Sequence, residues 1–208
     1  MRNAGLLGCV VALLVVLLIV GGYYVSLRNR VVDLDQSVQE KWSEVETQYQ
    51  RRYDLIPNLV QTVQGAANFE KSTLVEIANA RASVGRAQVA APNAPSDPAA
   101  MAQFSAAQSS LFESLRKLMV VVEAYPTLKS NENFLELQSQ LEGTENRIQI
   151  ARGRYNEAVK SYNSTILKFP ASLLLSGYKP KNFFKATTPE ATEAPKVQFD
   201  FGTTATAK

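Results

Sequence analysis

Phe134 to Phe169 reads FLELQSQLEGTENRIQIARGRYNEAVKSYNSTILKF, and its apolar positions keep a helical period throughout. Phe134, Leu137, Leu141, Thr144, Ile148, Ala151, Tyr155, Ala158 and Tyr162, then Ile166 and Phe169, fall three or four residues apart, one face of a helix. At ~1.5 Å per residue the segment is ~55 Å long, and Pro170 ends it. Ser130 or Asn131 stands where a cap belongs. A seam of that length needs partners of similar length. The fold class expected is therefore all-α, an elongated antiparallel bundle of about four long helices with a left-handed twist.

Upstream, Phe104, Ala107, Leu111, Leu115, Leu118, Val122 and Tyr125 supply a third helix, with Pro126 after it. Before it, residues 90–100 read AAPNAPSDPAA, which forbids a continuous helix and predicts a surface linker between helices two and three. The second helix is expected to open at Asp54-Leu-Ile-Pro57, Asp54 as N-cap and Pro57 in the first turn, and to end near residues 86–90. Leu55, Leu59, Val63 and Ala66 form its stripe, continued less regularly by Leu74, Ile77 and Val84. The first carries Val31, Leu34, Val38, Trp42, Val45 and Tyr49.

At the front, Leu6–Val25 (LLGCVVALLVVLLIVGGYYV) holds no charge. As a helix it is ~30 Å long, the hydrocarbon thickness of a bilayer. Tyr23 and Tyr24 suit the interface, and Arg28 and Arg30 follow at headgroup depth. A cleaved signal peptide fits poorly, because the run is long and no small-x-small site follows. Leu6-Leu7-Gly8-Cys9 resembles a lipobox, but Cys9 opens the apolar run instead of closing it. An uncleaved signal anchor is the preferred reading, with lipid as its partner. Arg28, Arg30 and Lys41 against Arg2 lean the body toward the cytoplasm. No breaker separates Val25 from Val31, so the anchor helix can continue into the body. The expected divisions are 1–27, tail and anchor; 28–170, bundle; and 171–208, irregular tail. In that tail Tyr178, Phe183 and Phe184 are expected to dock, 187–195 to be disordered, and Val197–Phe201 to alternate like a strand without a partner.

Composition narrows function. There is no histidine and one cysteine in 208 residues. That removes His-dependent triads, His-ligated zinc, the Glu-x-x-His di-iron bundle, and an intramolecular disulfide. Net charge is +3 with the signs interspersed, so no nucleic-acid partner is expected. Glu142 and Glu145, beside Arg147 and Arg152, resemble an acid–base pair, yet their spacing reads more simply as an ion-pair network on a helix surface. Carboxylates could hold Mg²⁺ or Ca²⁺, but no Asp-x-Asp-x-Asp-Gly loop is present. Arg51-Arg52, beside Tyr53 and Asp54, reads as ion pairing at the turn between helices one and two. Asn131, Asn133, Asn146, Asn156 and Asn163 are frequent for a helix; Asn156 and Asn163 flank the seam seven apart, suited to bridging helices and setting register or assembly. No catalytic, cofactor-binding or metal-ligating residue is assigned, and no cofactor.

Several long strings carry a resemblance. They are Gln50-Arg-Arg-Tyr-Asp-Leu-Ile-Pro-Asn-Leu-Val60, Glu123-Ala-Tyr-Pro-Thr-Leu-Lys129, Asn131-Glu-Asn-Phe134, Glu142-Gly-Thr-Glu-Asn-Arg-Ile148, Arg152-x-x-Tyr-Asn-x-x-Val159-x-x-Tyr-Asn163 and Phe169-Pro170. Together, over residues 28–201, they closely resemble the bacterial LemA family. The chain departs from that pattern mainly in its Ala/Pro loop and tail. The resemblance implies a single-pass protein of the bacterial cell (inner) membrane with a helical bundle and no enzymatic activity. The function expected is a membrane-anchored scaffold, a homo-oligomer acting through protein contacts. The alternatives are a membrane-shaping coat, or an accessory subunit of a membrane protease or transporter.

Overall fold

In a computed structural model, which describes residues 2–65 and 69–185 and the side chains from residue 11 onward, the apolar stripes close into an all-helical bundle. The elements are α1 (Arg2–Gln64), α2 (Lys71–Gln88), a 3₁₀ turn at Ala91–Asn93, α3 (Pro98–Val122), the single turn α4 (Pro126–Lys129), α5 (Glu132–Leu167) and the single turn α6 (Ala171–Leu174). No strand occurs among the described residues. The 187–195 and 197–201 segments, Ala66 and the Cys9 side chain lie outside those described.

α1 is one helix of 63 residues, ~95 Å long. Its apolar front continues into the body without a break, as the lack of a breaker at 25–31 allows. The second helix begins at Lys71 and not, as expected, at Asp54. Pro57 lies inside α1, and Asp54 accepts a hydrogen bond from Gln50 Nε2 at 2.7 Å as an exposed i, i+4 partner. Proline removes one backbone donor, to the Tyr53 carbonyl. Packing on both sides outweighs that loss: Tyr49, Ile56, Leu59 and Val63 are all buried on the face turned inward. α1 ends at Gln64.

α1 packs chiefly on α5, and α2 on α3. Both pairs are antiparallel: Glu44 faces Arg154 and Arg52 faces Glu145, while Glu76 holds Lys117. Caps explain two of the starts. Asp97 accepts from Ala99 N at 2.8 Å just before Pro98, and Asn131 accepts from Phe134 N at 3.1 Å.

The core comes in two clusters. The first joins α1 from Val31 to Tyr49, the start of α3, the lower half of α5 from Ile148 to Ile166, and Ala171, Leu175 and Phe184. The second joins α1 from Ile56 to Val63, most of α2 and α3, and α5 at Phe134 and Leu141. The 90–100 stretch is not a bare linker. Ala91, Ala94 and Pro95 are buried, and the chain beyond Pro170 contributes to the first cluster. Phe169 joins neither cluster, although the periodicity placed it on the seam.

Candidate functional site

Between the two apolar clusters lies a polar layer. Arg52 sits one step along the α1 seam between Tyr49 and Ile56, and only 3% of it is exposed. Its Nη1 donates to Glu145 Oε2 on α5 at 2.8 Å. Its Nη2 donates to Gln108 Oε1 at 2.6 Å and to the Gln108 carbonyl at 3.2 Å, both on α3. The guanidinium also lies 5.0 Å from the centroid of the Tyr49 ring. Three long helices thus meet on one buried cation. Such a group is costly to desolvate and dictates which residues face each other, since any slip leaves it unpaired. Its Nε has no partner. Burial pushes the Tyr49 phenol up, opposed by Arg152 and Arg52 nearby.

Arg52 is therefore not at a turn, and Glu145 is not part of a surface network with Glu142, Arg147 and Arg152. Glu142 accepts from Gln138 instead, and Arg152 reaches the tail. Arg51 is exposed. Glu145 is instead tied to Arg52 in an ion pair between α1 and α5. No group of three or more His, Cys, Asp or Glu that could hold a metal occurs among the described residues.

The second feature is a clasp around residues 181–185. Asn163 donates through Nδ2 to the Lys181 carbonyl at 2.9 Å, and its Oδ1 accepts from Lys181 N at 2.8 Å. Asn156 repeats the pattern on Phe184, at 3.1 and 2.9 Å. Seven residues of helix rise ~10.5 Å and three residues of extended chain span ~10 Å, so the two amides match the backbone they hold. Between them the Tyr155 hydroxyl donates to the Asn182 carbonyl at 2.7 Å. Burial raises the Tyr155 phenol well above its ordinary value. Phe184 stacks on Trp42 at 5.6 Å, meets Tyr155 edge-on at 5.5 Å, and is capped by Arg152 at 4.7 Å. On the other flank Asn182 bonds the Pro95 and Ala94 carbonyls, and Lys181 pairs with Asp35 at 2.8 Å.

The asparagines do not bridge helices; they serve the chain's own tail, which corrects the register reading. Tyr178 and Phe184 dock as expected, whereas Phe183 faces outward. Gln108 was missed. Its only signal is its place four after Phe104 and three before Leu111, on a seam that is otherwise apolar.

Known proteins locate this geometry. The LemA family profile matches residues 41–199, which include Arg52, Gln108, Glu145 and the clasp. The chain belongs to the LemA family. Among its relatives are the magnetosome proteins MamQ 1 and MamQ 2 of Paramagnetospirillum magneticum, each 29% identical over 174 residues. The match covers 76% of this LemA-family chain and 64% of each relative. Magnetosome protein MamQ of Magnetospirillum gryphiswaldense is 27% identical over 173 residues, 75% of the chain and 64% of the relative. The chain spans slightly less than two thirds of the length of these relatives. The family profile starts at Lys41, so the apolar half of α1 lies outside it.

Proposed function

We propose that this protein is a single-pass, membrane-anchored helical scaffold that works through contacts with other proteins and with its own copies. One observation carries the reading. From Val11 to Val25 every side chain of α1 is exposed, and the helix that carries them is long and apolar enough to cross a membrane. A bilayer is the cover such a surface requires. The relatives named as magnetosome proteins support a setting at a membrane-associated assembly. The pairing of Glu145 with buried Arg52 supports a non-enzymatic role, since it holds that carboxylate in a structural ion pair.

Self-association follows from geometry in the plane. Identical anchors confine the bodies to one layer, which raises their effective concentration, so weak lateral contacts suffice. The test uses the full chain in native membranes. It should resist carbonate extraction, float with lipid, and give crosslinked species of two or more copies with a lysine-reactive reagent. A protein recovered in the aqueous fraction with residues 1–25 intact would sink the anchoring reading. Crosslinking only to unrelated proteins would leave the anchor and remove self-association.

A further inference from the structure

We propose that the corner between α5 and α6, Leu167-Lys-Phe-Pro-Ala-Ser-Leu173, is a second membrane contact: an apolar wedge seated in the headgroup layer of the bilayer that α1 crosses. The proposal rests on the anchoring reading above. Its first support is exposure. Leu167 is 61% exposed, Phe169 81% and Leu173 72%, three large apolar side chains within seven positions. On the rest of the described body, exposed large apolar residues come singly along the chain, Val32, Val75, Val120 and Phe183 among them. The corner's backbone is fixed, because Ala171 and Leu175 are buried in the first cluster and turn Leu173, between them, outward.

The second support is height. α5 runs antiparallel to α1, with Arg52 opposite Glu145 and Glu44 opposite Arg154. The same pace carried onward sets Val31 opposite Leu167. Leu27, the residue before Arg28, packs against the cluster that contains Ile166, Ala171 and Leu175. Val31 is ~9 Å along the helix from Val25, which is headgroup depth. The apolar corner is thus at the end of the bundle where the bilayer must be, level with exposed Arg28 and Arg30 and carrying exposed Lys168. Apolar tips with flanking cations are the chemistry of an interfacial contact. Two contacts, one spanning and one shallow, set the tilt and rotation of the bundle on the membrane, which a lone helix leaves free.

The test places a reporter at the tip. Full-length Phe169→Trp is reconstituted into phosphatidylcholine–phosphatidylglycerol vesicles, with and without lipid brominated at a shallow position. The native Trp42 is buried in the core, ~26 Å along α1 from Val25, and serves as the background. Val120→Trp, an exposed position at the far end of α3, is the control. The expected result is blue-shifted emission from F169W that brominated lipid quenches and aqueous iodide does not, with the opposite behaviour for V120W. Emission from F169W that iodide quenches and brominated lipid leaves alone, in vesicles that carry the protein through flotation, overturns the wedge and leaves the anchor standing. Failure to float at all defeats the anchoring reading and the wedge together.

Discussion

Arg52 is a buried cation with one carboxylate and one glutamine for company, and the energetics of such a group are lopsided. Arg52→Ala removes the charge, opens a void and strands Gln108; we expect a loss of about 3 kcal/mol, read from denaturant unfolding in mild detergent. Replacing both charges, as Arg52→Met with Glu145→Met, should recover part of that loss, because two apolar side chains would bridge the two clusters while Gln108 stays unpaired. A double variant no more stable than the single one would argue against this account. Tyr155 gives a pH signature. Its phenol is neutral when protonated, and burial raises its pKa above the ordinary value of 10. Above pH 10 the unfolded chain releases that proton while the native one retains it, so stability is full below pH 10 and falls as pH rises further. Tyr155→Phe should flatten the alkaline limb and cost about 1 kcal/mol at neutral pH through the lost bond to Asn182. Tyr49 shifts the same way, so part of the limb should remain.

Helix boundaries show where physical reading of the chain stops short. The stripes of α3 and α5 are visible in sequence, because each is one amphipathic segment bounded by a cap or a proline. Asp54 and Pro57 carry the same local chemistry as a helix start, yet α1 runs through them, since Ile56, Leu59 and Val63 bury more than one missing donor costs. A helix break at Asp54 would end the seam at Tyr49 and set Arg52 at a turn; the continuous helix puts it between Tyr49 and Ile56 instead. Pro57→Ala should then lengthen an unbroken hydrogen-bond ladder and stabilise the protein by about 1–3 kcal/mol, measured as a higher unfolding midpoint. A destabilised variant would show that the ring's packing matters more. The clasp was out of reach for another reason. Asn156 and Asn163 hold backbone, and no side-chain pattern in residues 181–185 announces it. Asn156→Leu is expected to strip hydrogen-exchange protection from the amide of Phe184, which donates to Asn156, while the α2 and α3 amides stay protected. Equal loss across the bundle would mean that the tail is integral to global folding.

Over the whole molecule, α1 is one continuous helix whose exposed apolar front gives way to a face buried in the bundle. Every side chain from Val11 to Tyr24 is without protein cover, whereas Val31 onward supplies the inner face of both clusters. Among the described side chains of α1, Leu27 is the first in the two clusters' packing. If lipid alone holds the first 26 residues, their removal costs the bundle nothing in packing. A chain begun at Leu27 should therefore keep the helicity of the remaining residues and unfold with the same midpoint as the full protein in detergent. It should also leave the carbonate-resistant fraction. Its residual binding to vesicles should then depend on the α5–α6 corner, and Phe169→Glu with Leu173→Glu should abolish it without moving the midpoint, because both side chains are exposed. The two measurements separate what folds the protein from what locates it. A truncated chain that loses its helicity would show instead that the apolar front of α1 steadies the bundle, through the shared helix that joins them.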